Sequence, residues 1–263
     1  MIDINTAQWS AWIGAFIYPL ARIAAFVAAA PVFGESYVAI RVKIGLSVVF
    51  AIAMQAQASG GAGTAVPIDS AQGFMLIVTQ IVVGLALAFS VKLVFAAVQT
   101  AGDFIGLEMS LSFASFFDPS TGSNTNAVSR LFNIVALLLF ISINGHLLLI
   151  AGLAQTFTLI PLDQILIDRD GIGQLLNASR LIFSSGALLA LPIMVTLLIL
   201  NLILGILNRT AQQLSIFSVG FPVTLIVGIL VLGLMLPTMQ TALEHLTMHG
   251  VTVMSEVAEH LAR

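Results

Sequence analysis

LFNIVALLLFISINGHLLLIAGLAQTFT, residues 131–158, contains no Asp, Glu, Lys or Arg, and Asn144-Gly145-His146 interrupts it near its middle. The uncharged stretch runs from Arg130 to Asp163. An ordinary membrane-spanning helix needs about 20 predominantly apolar residues. The pieces on either side of Asn144 are each shorter than that. The stretch therefore reads as a long kinked helix or as a helical hairpin folded against other protein.

Composition supports that reading along the whole chain. Of 263 residues, 59% are hydrophobic and only 8% charged, and the mean hydropathy is +1.08. A soluble domain carries about 25% charged residues, so this chain cannot dress a water-facing surface. Its apolar faces belong in lipid or in a large assembly. The net charge of −3 comes without a basic stripe, which excludes nucleic acid as an expected partner. With no cysteine, disulfides, thiolate metal sites and thiol nucleophiles are excluded. Residues 1–5 lack the basic start of a cleavable signal, so the first hydrophobic segment is expected to stay in the protein.

Apolar runs cover 12–33, 44–58, 73–101, 131–158, 181–207 and 214–243. Each is too long for a strand and rich in Leu, Ala and Ile, which predicts an all-α fold. The second is short for a full span. Pro192, Pro222 and Pro237, with Gly84, Gly186, Gly205, Gly220 and Gly228, predict bent, closely packed helices. Breaks of this kind persist in membrane chains where neighbouring protein satisfies the freed backbone groups. After residue 243 the pattern turns amphipathic, which predicts a C-terminal helix at an interface. Residues 102–128 are polar at Asp103, Glu108 and Asp118 yet carry Phe113, Phe116 and Phe117. A solvated connection has no use for three phenylalanines, so this one is expected to pack against something.

Two charges lie inside runs, Arg22 in the first and Lys92 in the third. A charge at bilayer depth costs about 2.5–3.5 kcal/mol on insertion scales and faces protein or water. Either can snorkel to the interface along its stem, or face another subunit and bind carbonyls there. His146 has no second ligand within helical reach. His245 and His249 share a helical face, but the glutamate between metal-binding histidines is missing. These histidines read as structural, and neither a metal nor a cofactor is expected.

Three function classes follow. An enzyme lacks any nucleophile elbow or carboxylate pair in an apolar run. A secondary transporter explains broken helices, but every Asp and Glu lies outside the runs or at their edges. A structural subunit of a membrane channel needs apolar packing surface, bent helices and a gating loop, and all three are present. Residues 106–117 have the composition of a hydrophobic gate, and equally that of a buried packing loop.

Several strings go further than class: RVKIGL at 41–46, AGDFIGLEMSLSFA at 101–114, FFDP at 116–119, NGHL at 144–147 and NRTAQQLSIFSVGFP at 208–222. Together they resemble the FliR family of flagellar biosynthetic proteins, from Trp9 to about Leu246. The resemblance implies a non-enzymatic subunit of the flagellar type III export gate, in the inner membrane at the basal body. One copy would join the two smaller FliP- and FliQ-type partners and the FlhB-type switch subunit. Unfolded flagellar proteins would pass through the complex, with membrane lipid around it. The implied fold is a set of helical hairpins, with residues 1–180 as one region and 181–263 as a two-helix hairpin plus the C-terminal helix. Asn208, Arg209, Gln212 and Gln213 would form the turn of that hairpin. The loop at 106–122 would plug the closed pore through Met109, Phe113, Phe116 and Phe117. Arg22, Lys92, Asn144 and His146 would be buried or inter-subunit polar groups. Deleting residues 106–112 is expected to leave assembly intact and open an ion leak. The equivalent subunit of a virulence injectisome is the alternative, with a secondary transporter behind it.

Overall fold

The computed structural model describes residues 6–58, 66–111, 126–162, 169–210 and 216–261. Among these, every regular element is a helix: α1 (Thr6–Ala29), α2 (Ile40–Ala58), α3 (Ala71–Glu108), α4 (Ala127–Ser142), α5 (Gly145–Leu159), α6 (Arg169–Ala178), α7 (Arg180–Thr210) and α8 (Ile216–Leu261). The all-α expectation holds. Two stretches, Ala71–Glu108 and Gly173–Arg209, are singly long and apolar enough to cross a membrane. Two bent pairs would each supply one further span, giving up to four among the described residues rather than one per apolar run.

The uncharged run that opens at Leu131 is broken into two helices at Asn144. Asn144 adopts the left-handed conformation at φ 57, which Asn tolerates better than most residues. Helix α4 ends two residues earlier, with Ile143 as its C-cap, and α5 starts one residue later. The break costs no hydrogen bond that α5 needs, because the Asn144 carbonyl accepts from Leu147 at 2.9 Å.

The chain groups into two compact units. The first comprises Met1–Leu93, Asn144–Ser179 and Thr247–Arg263; the second comprises Val94–Ile143 and Arg180–Leu246. The crossings at 93/94, 143/144 and 246/247 were not legible, because two of them cut through continuous helices.

In the first unit, α1 and α2 are joined by a tight corner. A Cβ on Gly34 would stand 2.6 Å from the Ala28 carbonyl oxygen, so only glycine fits there. Lys43 then donates to the Gly34 carbonyl at 2.7 Å, and Phe33 meets Phe50 edge-on with centroids 6.4 Å apart. Helix α3 starts at Ser70, whose hydroxyl accepts from Gly73 N–H at 2.9 Å, a side-chain N-cap. With 38 residues, α3 is nearly twice as long as the ~20 residues a simple span needs. The C-terminal part of α8 is amphipathic, as expected, with Val253, Met254, Val257 and Leu261 buried and Glu256 and Glu259 exposed. Its apolar face is not left for a lipid interface, however. Met254 fills the space beside Gly152 of α5, and Leu261 the space beside Gly171 of α6.

In the second unit, α3, α4, α7 and α8 come together. Phe95 and Phe140 meet edge-on at 5.5 Å. A Cβ on Gly186 of α7 would stand 2.8 Å from the Ala97 carbonyl oxygen, so α7 lies close on the α3 backbone at that glycine. Burial is uneven. The most apolar window of Ala71–Glu108 is 56% buried within the chain, that of Gly173–Arg209 only 17%. Phe183, Leu188, Leu198, Leu202 and Ile206 all stand exposed. At about 25 cal/mol per Å² of apolar surface, such a face is unstable in water and must be covered by lipid or protein.

Candidate functional site

Two arrangements concentrate the polar chemistry, one in each unit. In the first, Arg22 is fully buried and forks across two other helices. Its Nε donates to Gln80 Oε1 of α3 at 2.7 Å. Nη1 donates to the Thr156 carbonyl at 3.0 Å, and Nη2 to the Ile160 carbonyl at 2.9 Å. The guanidinium also lies 4.5 Å from the Phe157 ring centroid, a favourable cation–π contact when desolvated. Thr156 and Ile160 belong to the last turn and C-cap of α5. The final carbonyls of a helix run short of intrahelical donors and carry the negative end of its dipole, although that of Thr156 also accepts from the Ile160 N–H at 2.9 Å. A planar, permanently charged fork is suited to that place.

Of the alternatives for Arg22, namely snorkelling, facing another subunit or burial, the structure has burial, and the carbonyls it binds are those of its own chain. What lets it do so is Gly84 of α3, where a Cβ would collide with the Arg22 carbonyl oxygen. Gln80 was the missed residue. An amide in mid-run, with Oε1 used and Nε2 left unpartnered among the described residues, was the available signal. Buried hydroxyls elsewhere need no such partner, since Ser47, Thr79, Ser90 and Thr224 bond carbonyls three or four residues back.

The second arrangement is the base of the segment between residues 111 and 126. Helix α3 ends in a Schellman motif. The Leu111 N–H donates to the Gly106 carbonyl and the Ser110 N–H to the Leu107 carbonyl, both at 3.0 Å, with Ser110 left-handed at φ 61. On the return, Asn126 caps α4 by accepting from Val128 N–H at 3.2 Å. The two helices touch at a pair of glycines one turn apart. A Cβ on Gly102 would stand 2.5 Å from Ser129 Cα, and one on Gly106 would overlap the Asn126 carboxamide. The Ser129 hydroxyl donates to Asp103 beside them. Asn201 of α7 reaches the Glu108 carbonyl and carboxylate, each at 3.4 Å.

Met109 is buried in this base, packed where a Cβ on Gly228 of α8 would come within 2.7–2.9 Å of its side chain. It packs at the foot of the segment. Phe113, Phe116 and Phe117 lie outside the described residues. Gly106→Val is accordingly expected to cost at least the ~1–3 kcal/mol of an overpacked core site. The check is the unfolding midpoint of the detergent-extracted protein, with Gly205→Ala as control, since nothing lies within 4 Å of Gly205.

The other expected site residues are dispersed. Asn144 is exposed and makes no side-chain cap bond. His146 is half-buried, with Nδ1 lacking a partner among the described residues. Lys92 is exposed. Asn208 and Arg209 still belong to α7, while Gln212 and Gln213 lie outside the described residues. No group of three metal-ligating side chains occurs among the described residues, and Glu35, Asp69, Asp103, Glu108, Glu244, Glu256 and Glu259 are all at least partly exposed.

Residues 13–250 match a family described as bacterial export proteins, family 1. The chain is 42% identical over 262 residues to the flagellar biosynthetic protein FliR of Pectobacterium carotovorum, covering 100% of this chain and 99% of that protein. It is 41% identical to FliR of Escherichia coli K12, covering 99% of each. FliR of Bacillus subtilis is 31% identical over 222 residues, covering 83% of this chain and 84% of the relative.

Proposed function

The chain belongs to the bacterial export proteins, family 1, and from that membership we propose that it is a non-enzymatic core subunit of the flagellar protein export gate. The observation that carries this reading is the end-to-end likeness to relatives named flagellar biosynthetic protein FliR. The subunit sits in the inner membrane at the flagellar basal body. It joins the FliP- and FliQ-type partners and the FlhB-type subunit around a path for unfolded flagellar proteins. The unburied apolar face of Gly173–Arg209 supports assembly, because it offers partner helices a surface that the chain itself does not cover. The absence of buried carboxylates among the described residues argues against a proton-coupled transporter.

In this reading the segment after α3 closes the pore. Phe113, Phe116 and Phe117 seal it, because an apolar constriction excludes ions by dewetting. Met109, Gly106 and Asn126 hold its two ends. Residues 181–263 supply the two-helix hairpin plus the C-terminal helix, with the turn beyond Thr210.

The test is the mass of the particle extracted from the organism's own membranes on a tagged full-length chain. A heteromer containing two smaller apolar partners is expected, and loss of the gene should stop export of flagellar subunits. A monomer, or unimpaired export, would overturn the proposal.

A further inference from the structure

Within the first unit, a groove of about 460 Å³ runs beside α3. On that helix it is lined by Val82, Leu85, Ala86, Phe89 and Lys92, a stripe at helical spacing that extends about 15 Å at 1.5 Å per residue. Leu175 of α6 and Leu261 of α8 form part of the facing wall. The lining is hydrocarbon apart from Lys92, which stands at one end of the stripe. Its ammonium is exposed and has no hydrogen-bond or ion-pair partner among the described residues.

We propose that this groove holds one acyl chain of an anionic phospholipid, whose phosphate is bound by Lys92. Size selects the occupant. A methylene fills roughly the ~30 Å³ that a water takes in the liquid, so the groove accepts about fifteen of them, one lipid tail. A partner helix, ~10 Å across with its side chains, is too bulky for it. Charge selects the headgroup. Lipid tails are as apolar as the leucines they touch, so the tail gains little by leaving the bilayer. Selectivity must come from the single cation, which draws anionic lipid but offers a zwitterionic head no net attraction. The inference is independent of the export role, since it needs only this chain in a membrane.

The intact complex, or the full-length chain if it purifies alone, is placed in nanodiscs with equal phosphatidylglycerol and phosphatidylcholine. Lipids retained after release are then weighed by native mass spectrometry. One phosphatidylglycerol per chain is expected, enriched about fivefold over phosphatidylcholine, the selectivity that one lysine near an anionic headgroup supplies. Lys92→Gln should bring that ratio to about one. Ala86→Phe, which fills the groove, should remove the retained lipid of both kinds. Equal retention by the unmodified protein, or enrichment that survives Lys92→Gln, overturns the proposal. So does carbodiimide coupling of Lys92 to a carboxylate of a partner protein, which would make the occupant a protein.

Discussion

Arg22→Met is expected to destabilise the first unit by about 2–4 kcal/mol. Methionine replaces the stem but none of the donors. The Gln80 Oε1 and the Ile160 carbonyl then lose the hydrogen bonds they have from Arg22. Each buried acceptor left unpaired costs about 1–3 kcal/mol. Thr156 suffers less, because its carbonyl also accepts from the Ile160 N–H at 2.9 Å. Relief from burying a guanidinium offsets part of the loss, which keeps the estimate below the simple sum. Arg22→Lys should rescue little, since one ammonium cannot supply three divergent donors in a plane. Adding Gln80→Leu to Arg22→Met should recover part of the stability by removing the orphaned amide. Unfolding midpoints of the detergent-extracted variants test this. If Arg22→Met unfolds with the unmodified protein, the guanidinium is not holding α1, α3 and α5 together.

The second large effect concerns ion leakage. Changing Phe113, Phe116 and Phe117 together to serine is expected to raise the resting conductance of the assembled complex at least tenfold. Hydroxyls replace ring surface, so water and ions find partners where an apolar constriction offered none. Partners should copurify at the unmodified yield, because the anchors at Gly102, Gly106, Met109 and Asn126 are untouched. Deleting residues 106–112 is the poorer experiment. It removes the Schellman cap of α3, the glycine beneath Asn126 and the Met109 packing at Gly228, so assembly would fail along with closure. Planar-bilayer recording of the serine variant decides the matter: unchanged conductance removes the seal from these phenylalanines.

The helical class, the break at Asn144 and the amphipathic tail were legible because each depends on neighbours in the chain. A helix satisfies its backbone within four residues, and a turn declares itself in Asn, Gly and Pro. The family resemblance was legible from short strings. The environment of Lys92 was not, because Val82, Leu85 and Phe89 make a groove only once α6 and α8 form the opposite wall. The resemblance put Met109 in the plug, and only the tertiary structure shows that its side chain packs at Gly228 of α8.

By itself the amino-acid order determined that this protein is a set of apolar helices interrupted at stated places, since local hydrogen bonding and hydrophobicity suffice for that. Tertiary structure alone decided which apolar faces are covered and what each isolated polar group meets. Arg22 finds Gln80 58 residues away and Ile160 138 residues away. Pairings at such separations depend on how the helices pack, and no local pattern encodes them.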